Sequence, residues 1–193
     1  MEVFDLDDFV FIPAFHAPHK KDKKPTSAFH RFAILALATA NEPKIKISTV
    51  ELDAPERPFT FETQTKLKNE LPDAEIFFVI GADSWMEIDT WREWEKVLTL
   101  TNVIVVTRPG YEIGFSHVTQ GIKSRIVDLR EMVQKENFDS QSASQDSRIY
   151  ITDAVNLDVS ATEIRQKIRQ NENNWHEFVP DEVAKYIEKY DIY

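Results

Sequence analysis

The residue types best suited to bind phosphate lie in one short segment near the end of the chain. Residues 159–165 read Val-Ser-Ala-Thr-Glu-Ile-Arg and follow a strand-like apolar stretch. Ser160 stands at the N-cap position of a predicted helix, with Glu163 three residues on, as in a capping box. Thr162 and Arg165 share a face of that helix. Free amide groups, two hydroxyls and a guanidinium would form a phosphate site. The alternative is an ordinary helix start with a surface arginine.

The composition predicts a single α/β domain over residues 1–193. Of these residues 42% are hydrophobic and 29% are charged, and a chain of 193 residues can bury a sizeable core. No stretch approaches the roughly 18 consecutive apolar residues of a membrane span, and no secretory leader opens the sequence. With no cysteine, disulfides, thiolate metal sites and cysteine nucleophiles are excluded. We therefore expect a cytoplasmic protein without a membrane partner.

The charge argues against nucleic acid as a partner. A net charge of −10 lacks the basic face that such binding requires. Residues 19–24 (His-Lys-Lys-Asp-Lys-Lys) are a local exception, read either as a solvated loop or as a loop that steers phosphate. The four glycines, at 81, 110, 114 and 121, form no G-x-G-x-x-G or Walker-type loop. Classical dinucleotide oxidoreductases and P-loop enzymes are therefore disfavoured.

Strand-like and helix-like segments alternate along the chain. We predict strands at 9–13, 44–50, 75–80, 102–107 and 148–152, with 75–80 and 102–107 buried on both faces. Helices are predicted at 26–40, 59–71, 91–98, 121–136, 160–170 and 180–190, and a mobile loop at 139–147. This alternation predicts a parallel sheet with helices on both faces.

Ligands of such sheets bind at the carboxyl ends of the strands. Unusual polar chemistry occurs at four of these ends: residues 13–24, 81–84, 108–110 and the turn into Ser160. In Gly81-Ala82-Asp83-Ser84 the glycine would let a ligand approach the backbone, and the aspartate could accept hydrogen bonds from ribose. Alternatively, Asp83 or Ser84 caps the next helix.

Three tryptophans lie close together in the sequence after the strand at 75–80. Trp85, Trp91 or Trp94 could stack on a planar ring, because an aromatic residue there is near the strand's carboxyl end. Trp91 and Trp94 are three residues apart, so the alternative is that both pack on one helix face. For Trp94 we favour packing.

A set of short motifs, in a fixed order over nearly the whole chain, resembles a known family. The motifs are Phe-Ile-Pro at 11–13 leading to Pro-His-Lys at 18–20, Phe-Thr-Phe-Glu-Thr at 59–63, Gly-Ala-Asp-Ser at 81–84, Thr-Trp-Arg-Glu-Trp at 90–94, Val-Thr-Arg-Pro-Gly at 106–110, and the segments 159–165 and 179–187. Their order is similar to that of bacterial nicotinate mononucleotide adenylyltransferase, in the nucleotidyltransferase superfamily. The resemblance implies a Rossmann-like, doubly wound parallel sheet.

The resemblance also implies an activity: adenylyl transfer from ATP to nicotinate mononucleotide, giving deamido-NAD and pyrophosphate for NAD synthesis. Ser160, Thr162 and Arg165 would hold the ATP phosphates, and Lys20 with His19 would line the phosphate entrance. Lys20 and Arg165 would be the catalytic side chains. Mg²⁺ would arrive on the triphosphate, and no protein metal ligands are implied.

The remaining roles concern the nucleosides and the acceptor. Gly81 and Asp83 would hold a nucleotide ribose. Thr60 would hydrogen-bond the nicotinate and Trp91 would stack on it. Arg108 would border the mononucleotide pocket.

One family signature, a glycine-rich loop that ends in H-x-G-H after the first strand, does not occur in this sequence. Residues 1–8 resemble the family's lead-in to its second strand, so the first strand, the loop and most of a helix, about 25 residues, would be missing. His16 and His19 do not replace the motif, because no glycine lies between them, and Pro18 also argues against a metal pair.

The missing signature leaves more than one hypothesis open. We expect a truncated reading of a longer enzyme. The alternatives are a catalytically impaired or non-catalytic nucleotide-binding relative, and a sister nucleotidyltransferase with another acceptor. The preference between the acid and amide forms of the pyridine, and whether the protein is a homo-oligomer, are not determined by the sequence.

Overall fold

The structure is a computed structural model that describes residues 4–14, 26–108, 112–130, 146–154 and 159–193. The chain divides into two compact units. The first comprises Asp5–Arg57 and Asp158–Tyr193, and the second comprises Pro58–Leu157 together with Phe4. The assignment of residues 1–193 to one domain stays a prediction. None of the described helices is both long and apolar enough to cross a membrane.

In its described residues, the first unit contains a two-stranded parallel sheet and three α-helices. Strand β1 (Phe9–Phe11) pairs with β2 (Ile45–Ile47), and helix α1 (Ala28–Ala38) connects them. Helix α6 (Ala161–Arg169), a 3₁₀ segment (Asn173–Phe178) and α7 (Asp181–Lys189) follow near the end of the chain. The core of this unit joins α7 to α1 and α6, and its members are Trp175, Val183, Ala184, Ile187 and Ile192, with Ile34, Leu37, Ile164 and Ile168 against them.

The second unit contains a four-stranded sheet in the order β3-β4-β6-β5, and all of its pairings are parallel. Its elements, in chain order, are α2 (Thr60–Glu70), β3 (Phe77–Gly81), α3 (Ala82–Met86), a 3₁₀ turn (Ile88–Thr90), α4 (Trp94–Val97), β4 (Asn102–Val106), α5 (Gln120–Lys123), β5 (Ile126–Asp128) and β6 (Ile149–Thr152). Residues of β4, β6, α3 and α4 form its core. The predicted α/β class with parallel strands is confirmed.

The predicted burial of two strands has different outcomes. Strand β4 has a fully buried centre, as predicted, because β3 and β6 pair with it on either side. Strand β3 was predicted to be buried on both faces, but among its residues only Ile80 is buried. The physical reason is its position, since in the described part of the sheet β3 pairs with β4 alone.

Two helix predictions are wrong in extent. A helix over 91–98 is not formed, because Glu93 has a left-handed backbone (φ 53°, ψ 37°) and α4 begins only at Trp94. A helix over 121–136 shrinks to α5, and the β-branched pair Ile126 and Val127 instead joins a strand beside β6. Residues 131–136, and most of the loop predicted at 139–147, lie outside the described residues.

Candidate functional site

The carboxyl ends of β3, β4 and β6 lie side by side at one edge of the four-stranded sheet. Gly81 pairs with Val106, and Val106 pairs with Thr152. Asp83 and Arg108 each follow two residues beyond this row, and both side chains are exposed. Two of the predicted ligand-binding residues therefore follow neighbouring strands at equivalent positions, as predicted for a parallel sheet.

Gly81 borders open space. A Cβ atom built on its backbone would have no heavy atom within 4 Å. Its φ of −81° and ψ of 164° are ordinary extended values that any L-residue adopts. Backbone conformation therefore does not require glycine at this position, whereas close approach of a ligand to the backbone would.

Trp85 fixes the short helix that carries Asp83. Its side chain is 0% exposed, and its indole Nε1 donates a hydrogen bond to the carbonyl of Gly114 at 2.9 Å. His117 Nε2 donates to the carbonyl of Trp85 at 2.9 Å, and its ring contacts the indole edge to face. The Gly114 amide also contacts the Met86 sulfur at 3.4 Å. Trp85 is therefore a core residue, and the hypothesis that it stacks on a ligand ring is not supported.

The other two tryptophans are partly buried and pack against the same core. Packing was the favoured interpretation for Trp94, and it is confirmed. Trp91 follows the 3₁₀ turn at Ile88–Thr90 and precedes the left-handed Glu93. It therefore belongs to a bend that the structure inserts between two helical segments.

Thr60 is the first residue of α2, and its hydroxyl has no hydrogen-bond partner among the described residues. By contrast, the Thr65 hydroxyl donates to the Phe61 carbonyl at 2.6 Å. The start of α2 is capped from within, because the Phe59 amide donates to the Glu62 carboxylate at 2.7 Å. The Thr60 hydroxyl is thus available to a ligand without loss of a bond inside the protein.

A cation–π contact brings the surroundings of Thr60 and Trp91 together. The Arg92 guanidinium carbon lies 4.6 Å from the centroid of the Phe59 ring. Since Phe59 precedes Thr60 and Arg92 follows Trp91, the two predicted nicotinate-binding residues flank this contact. No local sequence pattern marks Arg92 as a site residue, because its contact with Phe59 spans 33 residues.

In the first unit, the predicted phosphate-binding segment forms a helix start as expected. Ser160 is the N-cap of α6, and its hydroxyl oxygen accepts a hydrogen bond from the Glu163 amide at 3.5 Å. Thr162 is exposed and lies one turn before Arg165 on the same face. The Arg165 guanidinium carbon lies 5.3 Å from the centroid of the Tyr193 ring, a contact that orients the side chain.

Other predicted site residues fall outside the described part of the chain. These are His19 and Lys20, together with Pro109 and Gly110 beside Arg108. Within the described ranges, no group of three or more His, Asp or Glu side chains is placed to hold a metal ion.

Comparisons with known proteins agree with this architecture. The family model described as cytidylyltransferase-like matches residues 1–167. A probable nicotinate-nucleotide adenylyltransferase of Corynebacterium jeikeium is 30% identical over 194 aligned residues, which cover 100% of this chain and 88% of the relative. A protein of the same name from a Nocardioides species is 32% identical, with 98% of this chain and 81% of the relative covered.

Solved structures confirm the fold. A Plasmodium falciparum nicotinic acid mononucleotide adenylyltransferase complexed with NaAD superposes with a TM-score of 0.67 at 18% identity, covering 99% of this chain and 86% of that one. A structure of the Plasmodium falciparum enzyme complexed with APC gives a TM-score of 0.64 at 17% identity. At this identity the likeness concerns the Rossmann-like fold alone.

Proposed function

Since the chain belongs to the cytidylyltransferase-like family, and within it to the nicotinate-nucleotide adenylyltransferases, we propose that it transfers the adenylyl group of ATP to nicotinate mononucleotide. The products would be deamido-NAD and pyrophosphate. The observation that carries the proposal is similarity over the full length of the chain to relatives named for this reaction. The fold and the polar residues at the strand ends support it.

On the acceptor side, we assign the nicotinate ring to Thr60 and Trp91. The Thr60 hydroxyl, which bonds to no other described residue, supplies a hydrogen bond, and Trp91 supplies a face for stacking. Arg108, two residues past the end of β4, borders the mononucleotide and offers its charge to the phosphate.

On the ATP side, we assign a ribose to Asp83 and the open backbone of Gly81. The triphosphate is assigned to Ser160, Thr162 and Arg165 at the start of α6, where free amide groups and the helix dipole favour anions. Lys20 and His19 are proposed to line the phosphate entrance. The Mg²⁺ ion belongs to the ATP substrate and arrives on its triphosphate.

The proposed chemistry is a single in-line displacement. An oxygen of the mononucleotide phosphate attacks the α-phosphorus of ATP, and the bond from that phosphorus to the bridging oxygen breaks. The electron pair leaves with pyrophosphate, so no covalent intermediate with the protein is needed. The protein's main tasks are then to position two anions and to stabilise their negative charge. Arg165 and Lys20 supply the positive charge that stabilises them.

The test is turnover with ATP-Mg²⁺ and three acceptors: nicotinate mononucleotide, nicotinamide mononucleotide and a phosphate acceptor that lacks a pyridine ring. We expect the two pyridine acceptors to react and the third to be inert. Preference for the third acceptor would indicate the sister nucleotidyltransferase. ATP binding without turnover on any acceptor would indicate the non-catalytic relative.

A matched pair of variants tests the acceptor assignment. Loss of one hydrogen bond in Thr60→Ala should raise the KM for nicotinate mononucleotide about five- to tenfold, from roughly 1 kcal/mol, with the KM for ATP unchanged. Thr65→Ala, five residues further along α2, removes a hydroxyl whose described bond is to the helix backbone and should leave both values unchanged. Unchanged acceptor affinity in Thr60→Ala would remove Thr60 from the site.

A further inference from the structure

We propose that Arg92 makes the acceptor site selective for the acid form of the pyridine mononucleotide by pairing with the ring carboxylate. This inference rests on the proposed function, because it concerns the same acceptor site. It is carried by the position of Arg92 next to Trp91, with its guanidinium over the ring of Phe59, the residue before Thr60. A pyridine ring held by Thr60 and Trp91 would present its substituent beside this cation.

Further contacts hold Arg92 and Thr60 in a fixed relation. Lys96 lies over the Phe61 ring, 5.7 Å from its centroid, and the rings of Phe59 and Phe61 stack at 6.5 Å. One turn on, the buried Gln64 side chain donates to the Val97 carbonyl at 3.2 Å. The start of α2 and the segment 91–97 are therefore joined at several points.

The charge of Arg92 has no carboxylate partner among the described residues. No carboxylate oxygen of these residues lies within 4 Å of its guanidinium, and its side chain is exposed. The neighbouring Glu93 instead pairs with Lys96 at 2.7 Å. A hydrogen bond from Lys96 is the main cause that lowers the pKa of Glu93, and the charges of Lys96 and Arg92 add to it. Glu62, the acidic residue nearest to Thr60 in sequence, accepts from the Phe59 amide.

The backbone has an uncommon conformation at the bend formed by residues 91–93. Glu93 adopts φ 53° without being glycine, a left-handed conformation that is uncommon for such residues and is found at functional sites more often than elsewhere. The bend separates Trp91 and Arg92 from α4.

The chemistry of guanidinium favours the acid. Stacking on Phe59 uses the face of the guanidinium and leaves N–H donors at its edge, in the plane of the group. A carboxylate accepts two of these donors and carries the complementary charge. The amide form has no charge, and its NH₂ group is itself a donor, so it gains less from Arg92.

The experiment compares kcat/KM for nicotinate and nicotinamide mononucleotides in the unmodified protein, Arg92→Gln, Arg92→Lys and the control Arg57→Gln. Arg57 is an exposed arginine three residues before Thr60 that makes no described ion pair, so its change alters the local charge equally. We expect the acid-to-amide ratio to fall about tenfold in Arg92→Gln. The fall should come from the KM for the acid, with kcat within about twofold, because the ring is remote from the reacting phosphorus.

The controls separate selectivity from structure. Arg92→Lys should keep part of the ratio, since its ammonium retains charge but not the paired donors, and Arg57→Gln should keep all of it. A ratio unchanged in Arg92→Gln, or equal losses on both acceptors, would overturn the inference and leave the proposed function standing. Absence of turnover on both acceptors by the unmodified protein would instead overturn the proposed function.

Discussion

Replacement of Gly81 by alanine should change folding stability and ligand binding in opposite directions. At φ −81° and ψ 164° an alanine meets no backbone strain, and its Cβ would have no heavy atom within 4 Å. The alanine also restricts the unfolded chain, which predicts a stabilisation of about 0.4–1 kcal/mol. For a chain of this length, the melting temperature should rise by about 1–4 °C.

The same methyl group would occupy the space that the proposed nucleotide site requires. If the ligand contacts the Gly81 backbone, the methyl displaces it by on the order of 1 Å, and a misplacement of that size costs about a hundredfold in rate. We therefore expect kcat/KM for ATP to fall about a hundredfold, equivalent to about 2.7 kcal/mol, in a protein that is folded and slightly more stable.

Steady-state kinetics and thermal unfolding of the same preparation test both parts. The matched control is Gly121→Ala in α5, where the new Cβ would lie 4.0 Å from the Thr119 hydroxyl oxygen. It should stabilise the helix by up to about 1 kcal/mol and leave kinetics unchanged. Normal ATP kinetics in Gly81→Ala would refute the assignment of Gly81, and a lowered melting temperature would refute the conformational argument.

Three further predictions concern stability. Ser160→Ala removes the acceptor of the Glu163 amide, and because that bond is long (3.5 Å), we expect a loss of about 0.5–1 kcal/mol in thermal unfolding; an unchanged melting temperature would contradict the capping role. Trp85→Phe leaves the Gly114 carbonyl without its indole donor and should cost at least about 1–3 kcal/mol in urea unfolding, whereas a loss below 0.5 kcal/mol (roughly the floor for a lost hydrogen bond) would count against this anchor. A hydrogen bond from Arg130 is the main cause that lowers the pKa of Asp128 in the folded state, so its stabilisation is present above the unfolded value near 4 and is lost as pH falls through the lowered folded pKa. On acidification, Asp128→Asn should therefore lose less of its free energy of unfolding than the unmodified protein does, by under about 1 kcal/mol for this partly exposed pair. An identical dependence of unfolding on pH in both proteins would disprove the coupling.

Local sequence patterns predicted most elements because their causes are local. The alternation of Ile45 and Ile47 marks β2, and Ser160 with Glu163 marks the start of α6. The half-buried state of β3 follows instead from its place at the edge of the sheet that the described strands form, which no pattern within residues 75–80 encodes. The short strand β5 was missed because Ile126 and Val127 are adjacent and lack the alternation that marks β2, while Ile126 lies four residues after Ile122, as on one face of a helix.

In the candidate site too, local patterns predict some features, and contacts between distant segments determine others. Gly81, Asp83 and Arg108 could be expected at strand ends because the parallel register aligns those ends. Glu93 would not be expected to leave the helical region, since glutamate is a good helix former, yet it does so where Arg92 and Lys96 contact the rings at the start of α2. Such contacts between distant segments appear only when the chain is folded.

The most direct test of adenylyl transfer follows the phosphorus atoms of ATP. The protein is expressed from its own gene with the native upstream sequence, and is incubated with nicotinate mononucleotide, Mg²⁺ and ATP labelled either at the α- or at the γ-phosphorus. The account predicts that the α-label enters deamido-NAD while the γ-label leaves in pyrophosphate, one pyrophosphate for each dinucleotide. Release of the γ-label as inorganic phosphate, or no α-label in a dinucleotide although ATP binds, would contradict it.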